Sequence, residues 1–283
     1  QRGYIYIVQD SRGRFASEGE WYPFRDEARD TYDAVEWAAG LPYANGRVGM
    51  LGISYVAVPQ LLGAMTAPPH LVAIYPGITA SNYHSHWTYH GGALTQSFSQ
   101  GWAQYFTQGE VMRRAAKNYA TAAPAQPATP AAEYALVQGF AATDLAPWYR
   151  DWIAHPAYDD YWRQCSVEGN YDKIKVPALH WGAWYDFFMP GAIRNYTGLR
   201  TQGGSEAARK GQRLVISTGG HAGVGRRIGA IDFGSESDFD FWAYGMRWFD
   251  WILKGIDDGI AEEKPVRLFI MGTNIWRDED DWP

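Results

Sequence analysis

Short apolar runs alternate with longer amphipathic segments towards both ends of the chain. The runs predict buried strands, at residues 4–8, 48–51, 71–75, 176–184, 212–218 and 265–271. Segments with apolar residues at helical spacing predict helices, at residues 26–39, 55–65, 190–201 and 239–254. Because strands and helices follow each other in turn, we expect a mostly parallel sheet with right-handed crossovers.

The pattern changes between residues 81 and 170. This part is rich in Trp, Tyr, Gln and Ala, has helical spacing, and contains a low-complexity stretch at 121–130. We interpret it as a helical cap inserted between two parts of the core, residues 1–80 and 171–264. The remaining residues, 265–283, hold one strand and an acidic tail at 277–281.

Composition narrows the class of protein. The chain has 283 residues, of which 46% are apolar and 20% charged, as in an ordinary globular protein. A net charge of -6 without a basic run argues against nucleic acid as a partner, and no apolar stretch is long enough for a membrane span. Cys165 is the only cysteine, so no internal disulfide forms. The compartment and a homo-oligomeric state are left open.

A serine stands where the strand pattern at 48–51 gives way to a helical one, in the run Gly52-Ile53-Ser54-Tyr55. A tight strand-to-helix turn lifts the serine Oγ out of the sheet, beside the first helical N–H groups, as in α/β-hydrolases. Val56 replaces the last glycine of the general G-x-S-x-G motif. Taken alone, the motif is better explained by a serine that only caps the helix.

A nucleophilic serine needs a base and an acid, which follow in the order Ser, acid, His in this fold. Asp186 is the one carboxylate between Ser54 and His221 that directly follows a core-like strand. Only His221 lies downstream of it, since the other histidines all precede it: His70, His84, His86, His90, His155 and His180. Asp186 could be a helix cap and His221 an ordinary loop residue. Their joint position after separate strands, in the required order, favours a triad with Ser54.

The chain resembles the CocE/NonD hydrolases of the Xaa-Pro dipeptidyl-peptidase superfamily. The matching segments span nearly all of it: VQDSRGR at 8–14, SEG at 17–19, NGRVG at 45–49, GISY at 52–55, GAWYD at 182–186, RNY at 194–196, DFG at 232–234, VRLFIMG at 266–272 and WRDE at 276–279. The family form of the serine turn is G-x-S-Y-x-G. It places the second glycine one residue later, where this chain has Ala57.

The resemblance implies an α/β-hydrolase core with a helical cap, followed at 265–283 by only the start of a C-terminal jelly-roll domain. It implies Ser54 as nucleophile, Asp186 as acid and His221 as base, with the backbone N–H of Tyr55 as an oxyanion donor. The second donor in the family is a tyrosine hydroxyl from a loop upstream of the first strand, and no residue here matches it. We therefore expect the chain, which begins with Gln1, to be an internal piece of a longer protein.

The resemblance also bears on the substrate, a small-molecule ester or amide, and it implies no metal or organic cofactor. The amino-ester branch binds an ammonium group through carboxylates where this chain has Phe187-Phe188 and Ser85-His86-Trp87. We therefore expect an uncharged, apolar or aromatic acyl group. The expected pocket residues are Trp87, Trp184, Phe187 and Phe188.

Three alternatives stay open. The two phenylalanines could belong to the core instead of a pocket. The enzyme could act as an Xaa-Pro dipeptidyl-peptidase or a β-lactam acylase. It could also be a binding protein that kept the fold and lost turnover.

Overall fold

The computed structural model describes residues 2–121, 146–221 and 225–283, and residues 113–121 through their backbone alone. Within these residues, the strands are β1 (Val48–Ile53), β2 (Leu71–Gly77), β3 (Tyr89–His90), β4 (Ala93–Leu94), β5 (Leu179–Ala183), β6 (Arg213–Ser217), β7 (Arg227–Ile228), β8 (Ile231–Asp232), β9 (Val266–Ile270) and β10 (Ile275–Glu279). The helices are α1 (Glu27–Ala39), α2 (Ala57–Ala64), α3 (Gln96–Thr121), α4 (Pro147–Ala154), α5 (Asp160–Arg163), α6 (Met189–Gln202), α7 (Glu206–Lys210) and α8 (Phe241–Lys254).

Six strands form the main sheet, in the order β1-β2-β5-β6-β9-β10. All neighbouring pairs are parallel except β9 and β10, which are antiparallel. This confirms the mostly parallel sheet and the α/β fold expected from the sequence. The carboxyl ends of the parallel strands therefore meet at one edge of the sheet, which is where open α/β sheets place their functional residues.

Helices cover both faces of the sheet, which is why its strands are continuous apolar runs. On β6, Leu214 and Ile216 pack with α6, whereas Val215 points to the opposite face and packs with Trp248 and Phe249 of α8. Those two aromatic side chains of α8 are buried. Removing apolar surface of this size from water contributes about 2–3 kcal/mol per side chain.

The cap contributes helices α3, α4 and α5 and a small β3–β4 hairpin. Its aromatic side chains pack tightly against the core; Trp87, Trp148, Trp152 and Trp162 are each at most 1% exposed. The stretch at 121–130 lies, apart from Thr121, outside the described residues, as does the rest of 122–145. The division of the chain into core, cap and a final β segment stays a prediction.

The predicted strand at residues 4–8 is wrong. Ile5, Tyr6 and Val8 are at least half exposed, and the segment belongs to no sheet. A cavity of about 690 Å³ lies against it, lined on the other side by residues of β1 and α1. An extended apolar segment becomes a strand only when a neighbour supplies backbone hydrogen-bond partners. Here β1, at the edge of the sheet, pairs with β2 and not with this segment.

The acidic tail predicted at 277–281 is also partly wrong, because residues 277–279 belong to β10. This strand pairs with β9, with Trp276 opposite Phe269 and Arg277 opposite Leu268. The charged side chains of β10 do not prevent pairing, since an edge strand exposes them to water. Through β9, the strand β10 is joined to the main sheet.

Among the described residues, no helix is long and apolar enough to cross a membrane.

The crossing of α1 and α2 gives a stability prediction. A Cβ atom on Gly63 would lie 2.2 Å from Cγ2 of Thr31 and 2.5 Å from its Cβ, so the two helices approach too closely for any side chain there. We expect Gly63→Ala to lower the free energy of unfolding by about 1–3 kcal/mol, measured by chemical denaturation. Gly40→Ala is the matched control, because its Cβ would meet nothing closer than 3.5 Å. Equal effects of the two substitutions would contradict this account.

Candidate active site

Ser54 lies on a sharp turn at the carboxyl edge of the sheet. β1 ends at Ile53, a single 3₁₀ turn covers Ser54–Val56, and α2 begins at Ala57. Ser54 has a φ of 59°, in the left-handed region that costs a non-glycine residue about 1–2 kcal/mol. Strain of this kind persists only where the surroundings hold it, and it is concentrated at functional sites.

The glycine two residues before the serine is required by close packing. A Cβ on Gly52 would lie 2.5 Å from Cγ1 of Val56, so the turn has no room for a side chain there. The family's second glycine position is different, because Ala57 is fully buried without disturbing the turn. The departure from the motif at Ala57 therefore leaves the turn intact.

The three residues predicted as a triad lie together. Nε2 of His221 is 2.7 Å from Oγ of Ser54, and its Nδ1 is 2.7 Å from Oδ2 of Asp186. The Asp186 side chain is fully buried, whereas that of His221 is 36% exposed. This arrangement leaves one ring nitrogen facing the serine and the other facing a carboxylate. It is the geometry of a nucleophile, its base and the group that orients the base.

Two loops at the carboxyl edge place the acid and the histidine. Asp186 follows β5 and His221 follows β6, which are neighbours in the sheet. The Tyr185 N–H donates to the Gly219 carbonyl at 2.9 Å and joins the two loops. The Phe188 N–H donates to Oδ1 of Asp186 at 2.7 Å, so both carboxylate oxygens have partners. The acid is therefore fixed in orientation before any substrate binds.

The side chain of Tyr55, the residue after the serine, is hydrogen-bonded to the buried carboxyl of Glu27. Glu27 was not identified from the sequence. The Tyr55 hydroxyl donates to Oε1 of Glu27 and accepts the N–H of Phe24 at 3.2 Å. Glu27 opens α1 and is only 6% exposed. An acidic residue in the first turn of a helix is normally solvated and favoured by the helix dipole. No sequence signal therefore distinguished Glu27 from an ordinary surface glutamate.

Burial raises the pKa of Glu27 to about 7. The hydrogen bond from Tyr55 and the backbone N–H groups of Glu27 and Phe24 act in the opposite direction and lower this pKa. The neighbouring carboxylate of Asp26 adds a smaller increase. Burial is the largest effect because a carboxylate loses its hydration when it enters an apolar environment.

Three of the four expected pocket residues lie near His221: Phe187 and Phe188 beside its ring, and Trp87 against Phe188. The Phe188 ring centre is 5.2 Å from that of His221, and the Phe187 ring centre is 6.0 Å from it. Phe188 is fully buried and stacks on Trp87 at 4.5 Å, whereas Phe187 is 37% exposed. Phe98 of the cap packs against both phenylalanines. The accessible aromatic surface here thus belongs to Phe187, with Phe188 and Trp87 packed beneath it.

The structure does not bring Trp184 together with the other three. Its indole N–H donates to the carbonyl of Phe269 in β9 at 2.7 Å. Its ring packs in the cluster that includes Met189 and Ile270. Although Trp184 precedes Asp186 by only two residues, it contributes to the packing of α6 and β9.

A polar cluster occupies the start of the cap, next to the segment Ser85-His86-Trp87. Ser81 donates to Oε1 of Glu168 at 2.5 Å, and Nδ1 of His86 lies 3.3 Å from the same oxygen. Arg194 adds a charge 3.8 Å away. These partners lower the pKa of Glu168 although burial opposes them. The carboxylate of Glu168 is therefore already compensated by groups of the protein.

In the described part of the chain, no group of three or more His, Cys, Asp or Glu is arranged to hold a metal ion.

The site stands on the carboxyl edge of a mostly parallel sheet, with its serine on a strained turn between a strand and a helix. That combination defines an α/β-hydrolase. Residues 1–223 match the X-Pro dipeptidyl-peptidase (S15) family, and the chain belongs to that family of serine hydrolases.

The chain is similar in sequence to one named relative and in fold to two solved structures. Cocaine esterase of Rhodococcus sp. (strain MB1 Bresler) is 31% identical over 299 residues, covering 99% of this chain and 50% of the esterase. An aminopeptidase from a Thaumarchaeota archaeon of marine sediment superposes with a TM-score of 0.73 at 24% identity, over 97% of this chain and 47% of the other. An α-amino acid ester hydrolase superposes with a TM-score of 0.69 at 23% identity, over 97% of this chain and 47% of the other. The chain spans about half the length of the curated relatives that it matches.

The raised pKa of Glu27 predicts how stability depends on pH. Because the folded-state pKa, about 7, lies above the ordinary value of 4.5, its stabilising contribution is complete below pH 4.5 and lost as pH rises through 7. Relative to Glu27→Gln, the wild type should therefore lose about 3 kcal/mol of unfolding free energy between pH 4.5 and 8. Urea denaturation of both proteins across this range measures the difference.

Glu36→Gln, in the same helix, is the control. The Glu36 side chain is 26% exposed, and its hydrogen bond to His70 lowers its pKa, so this variant should not reproduce the loss. Parallel pH profiles for the wild type and Glu27→Gln would show that Glu27 does not titrate in this range.

Proposed function

We propose that the protein cleaves an ester or amide of a small, uncharged acyl group, apolar or aromatic, through an acyl-enzyme. The observation that carries the proposal is the continuous contact from Ser54 to His221 to Asp186, at 2.7 Å for each step. Membership of the S15 family supports the hydrolytic chemistry. Cocaine esterase, at 31% identity, supports ester cleavage in particular.

In the first half of the reaction, Nε2 of His221 takes the proton of Ser54 as Oγ attacks the carbonyl carbon of the substrate. Asp186 keeps the proton on Nδ1 and stabilises the imidazolium that forms. The imidazolium then gives its proton to the leaving alcohol or amine, and the bond to the leaving group breaks. The product of this half is an acyl-enzyme with the acyl group on Ser54.

In the second half, water loses a proton to His221 and attacks the acyl carbon. The bond to Oγ breaks, the serine recovers its proton, and the carboxylic acid leaves. In both halves, the backbone N–H of Tyr55 donates to the oxyanion of the tetrahedral intermediate. This donor follows the nucleophile directly and opens a helix, so it is oriented before the charge develops.

The surroundings of the triad support the class of acyl group. Phe187 offers exposed aromatic surface beside His221. The carboxylate of Glu168 is paired with Ser81, His86 and Arg194, so it is not available for a substrate ammonium. An ammonium buried without a counter-charge would lose several kcal/mol of hydration. These features favour an uncharged acyl group over an amino-acyl one.

Ser54→Ala should abolish both turnover and covalent labelling. We expect a fluorophosphonate probe to label the native full-length protein, and the labelling and the hydrolysis of a p-nitrophenyl ester to disappear together in the variant. Ser235→Ala, at an exposed serine of the 3₁₀ turn before α8, should keep both. Absence of labelling in the wild type would instead favour a protein that binds without catalysis.

A substrate panel tests the acyl group. We expect benzoyl and short apolar esters to be cleaved with kcat/KM at least about 10-fold above that of α-amino acid esters, in keeping with the cost of an unpaired buried ammonium. Phe187→Ala should lower kcat/KM for the benzoyl ester more than for the acetyl ester, because it removes aromatic contact. Trp242→Ala, exposed on α8, is the matched aromatic control. Preference for a glycyl-prolyl anilide over all esters would point to dipeptidyl-peptidase activity instead.

A further inference from the structure

The buried carboxyl of Glu27 lies outside the triad but is bonded to the residue that follows its serine. We propose that Glu27 is a positioning residue of the nucleophile turn, which fixes the Tyr55 N–H through the hydroxyl of the same tyrosine. The inference rests on the proposed function, because that N–H is the donor to the oxyanion. Glu27 touches no reacting atom in this account, and its effect passes entirely through Tyr55.

The contacts of Tyr55 leave its side chain a single position. Its hydroxyl both donates, to Oε1 of Glu27, and accepts, from the N–H of Phe24. Its ring lies 5.6 Å from Phe24 and 5.7 Å from Trp21, measured between ring centres. Both hydrogen-bond partners belong to the start of α1 or the turn before it. The tyrosine thus ties the serine turn to a separate helix of the core.

A second anchor holds the turn without acting on residue 55. Gln60 of α2 donates to the carbonyls of Gly52 and Val56, at 3.3 Å and 3.2 Å, and accepts the N–H of Tyr75. Val56 itself is 61% exposed. Gln60 therefore fixes the residues on either side of the turn. The peptide between Ser54 and Tyr55 is held by its carbonyl, which accepts the backbone N–H of Ala57, and, among the side-chain contacts described here, by those of Tyr55.

The strain at Ser54 gives this anchor a consequence for catalysis. A residue at φ 59° relaxes towards ordinary backbone angles when its neighbours release it. Rotation of the next peptide would turn the Tyr55 N–H away from the oxyanion. Because the oxyanion exists only after attack, substrate binding would be spared and the chemical step slowed.

Packing alone does not account for a carboxyl at this position. In the part of the chain that the structure describes, Oε2 of Glu27 has no hydrogen-bond partner although it is buried. An unpartnered buried oxygen destabilises a fold relative to an apolar group of the same size. The carboxyl also meets the backbone N–H groups of Glu27 and Phe24. Its side-chain interaction is the bond from Tyr55, and this bond supports a role in holding Tyr55.

The test compares Glu27→Met, which keeps the volume and removes the acceptor, with Glu27→Gln, which keeps an acceptor oxygen. In the full-length protein, with a p-nitrophenyl ester, we expect Glu27→Met to lower kcat about 10- to 100-fold with KM within about 2-fold. Glu27→Gln should recover kcat to within about 3-fold of the wild type, because a neutral oxygen still accepts the hydroxyl proton.

Tyr55→Phe removes only the hydroxyl and keeps the inference testable if Glu27→Met does not fold. Tyr55→Phe should lower kcat as Glu27→Met does. The double variant should show no further loss, because the two substitutions break the same hydrogen bond. Tyr83→Phe is the matched control. Tyr83 is buried in the same aromatic cluster, stacked on Phe24, and its hydroxyl has no partner among the described residues.

Four results would overturn the inference: a folded Tyr55→Phe or Glu27→Met with wild-type kcat, additive losses in the double variant, no recovery in Glu27→Gln, or an equal loss in Tyr83→Phe. Thermal melting of each variant establishes that it is folded. If the wild type shows Ser54-dependent turnover and any of these results occurs, the role of Glu27 is wrong and the proposed function is unaffected. If the wild type shows no such turnover, the proposed function fails with it.

Discussion

A serine held in the left-handed backbone conformation joins β1 to α2, and the geometry of the site depends on that turn. The conformation is unfavourable for a residue with a Cβ, so the neighbouring structure must hold it. Gln60 binds the carbonyls on both sides of the turn, and Tyr55 is bonded to Glu27 of another helix. The packed core, through these contacts, holds the Oγ of Ser54 above the edge of the sheet.

The parallel sheet provides the second requirement, which is convergence. Residues that follow β5 and β6 meet at the carboxyl edge, where Asp186 and His221 complete the contact with Ser54. The hydrogen bond between Tyr185 and Gly219 fixes the two loops relative to each other. Asp186 is fully buried, yet both of its oxygens have donors, so its burial orients the histidine without leaving an uncompensated acceptor.

The cap determines what surrounds this contact. Trp87 packs behind Phe188, and Phe187 is the accessible aromatic surface beside the histidine. Polar groups at the start of the cap are compensated within the protein, as Glu168 shows with its serine, histidine and arginine partners. Charge compensation and aromatic packing together make the surroundings apolar, which is the physical basis of the substrate class proposed here.

The sequence alone determined the parallel core and the candidate triad. Apolar runs between helical patterns specify buried strands, and chain order singled out Asp186 and His221. Residues 4–8 had the same apolar pattern but no strand partner, and pairing is a property of neighbours in space, not of a segment. Trp184 and Trp87 were equally plausible pocket residues, but in the structure Trp184 bonds to β9 and Trp87 packs beneath Phe188. Glu27 looked like a surface residue, because only tertiary structure brings its carboxyl to the hydroxyl of Tyr55. Local patterns specify elements and chain order, whereas burial, pairing and long-range hydrogen bonds exist only once the elements pack.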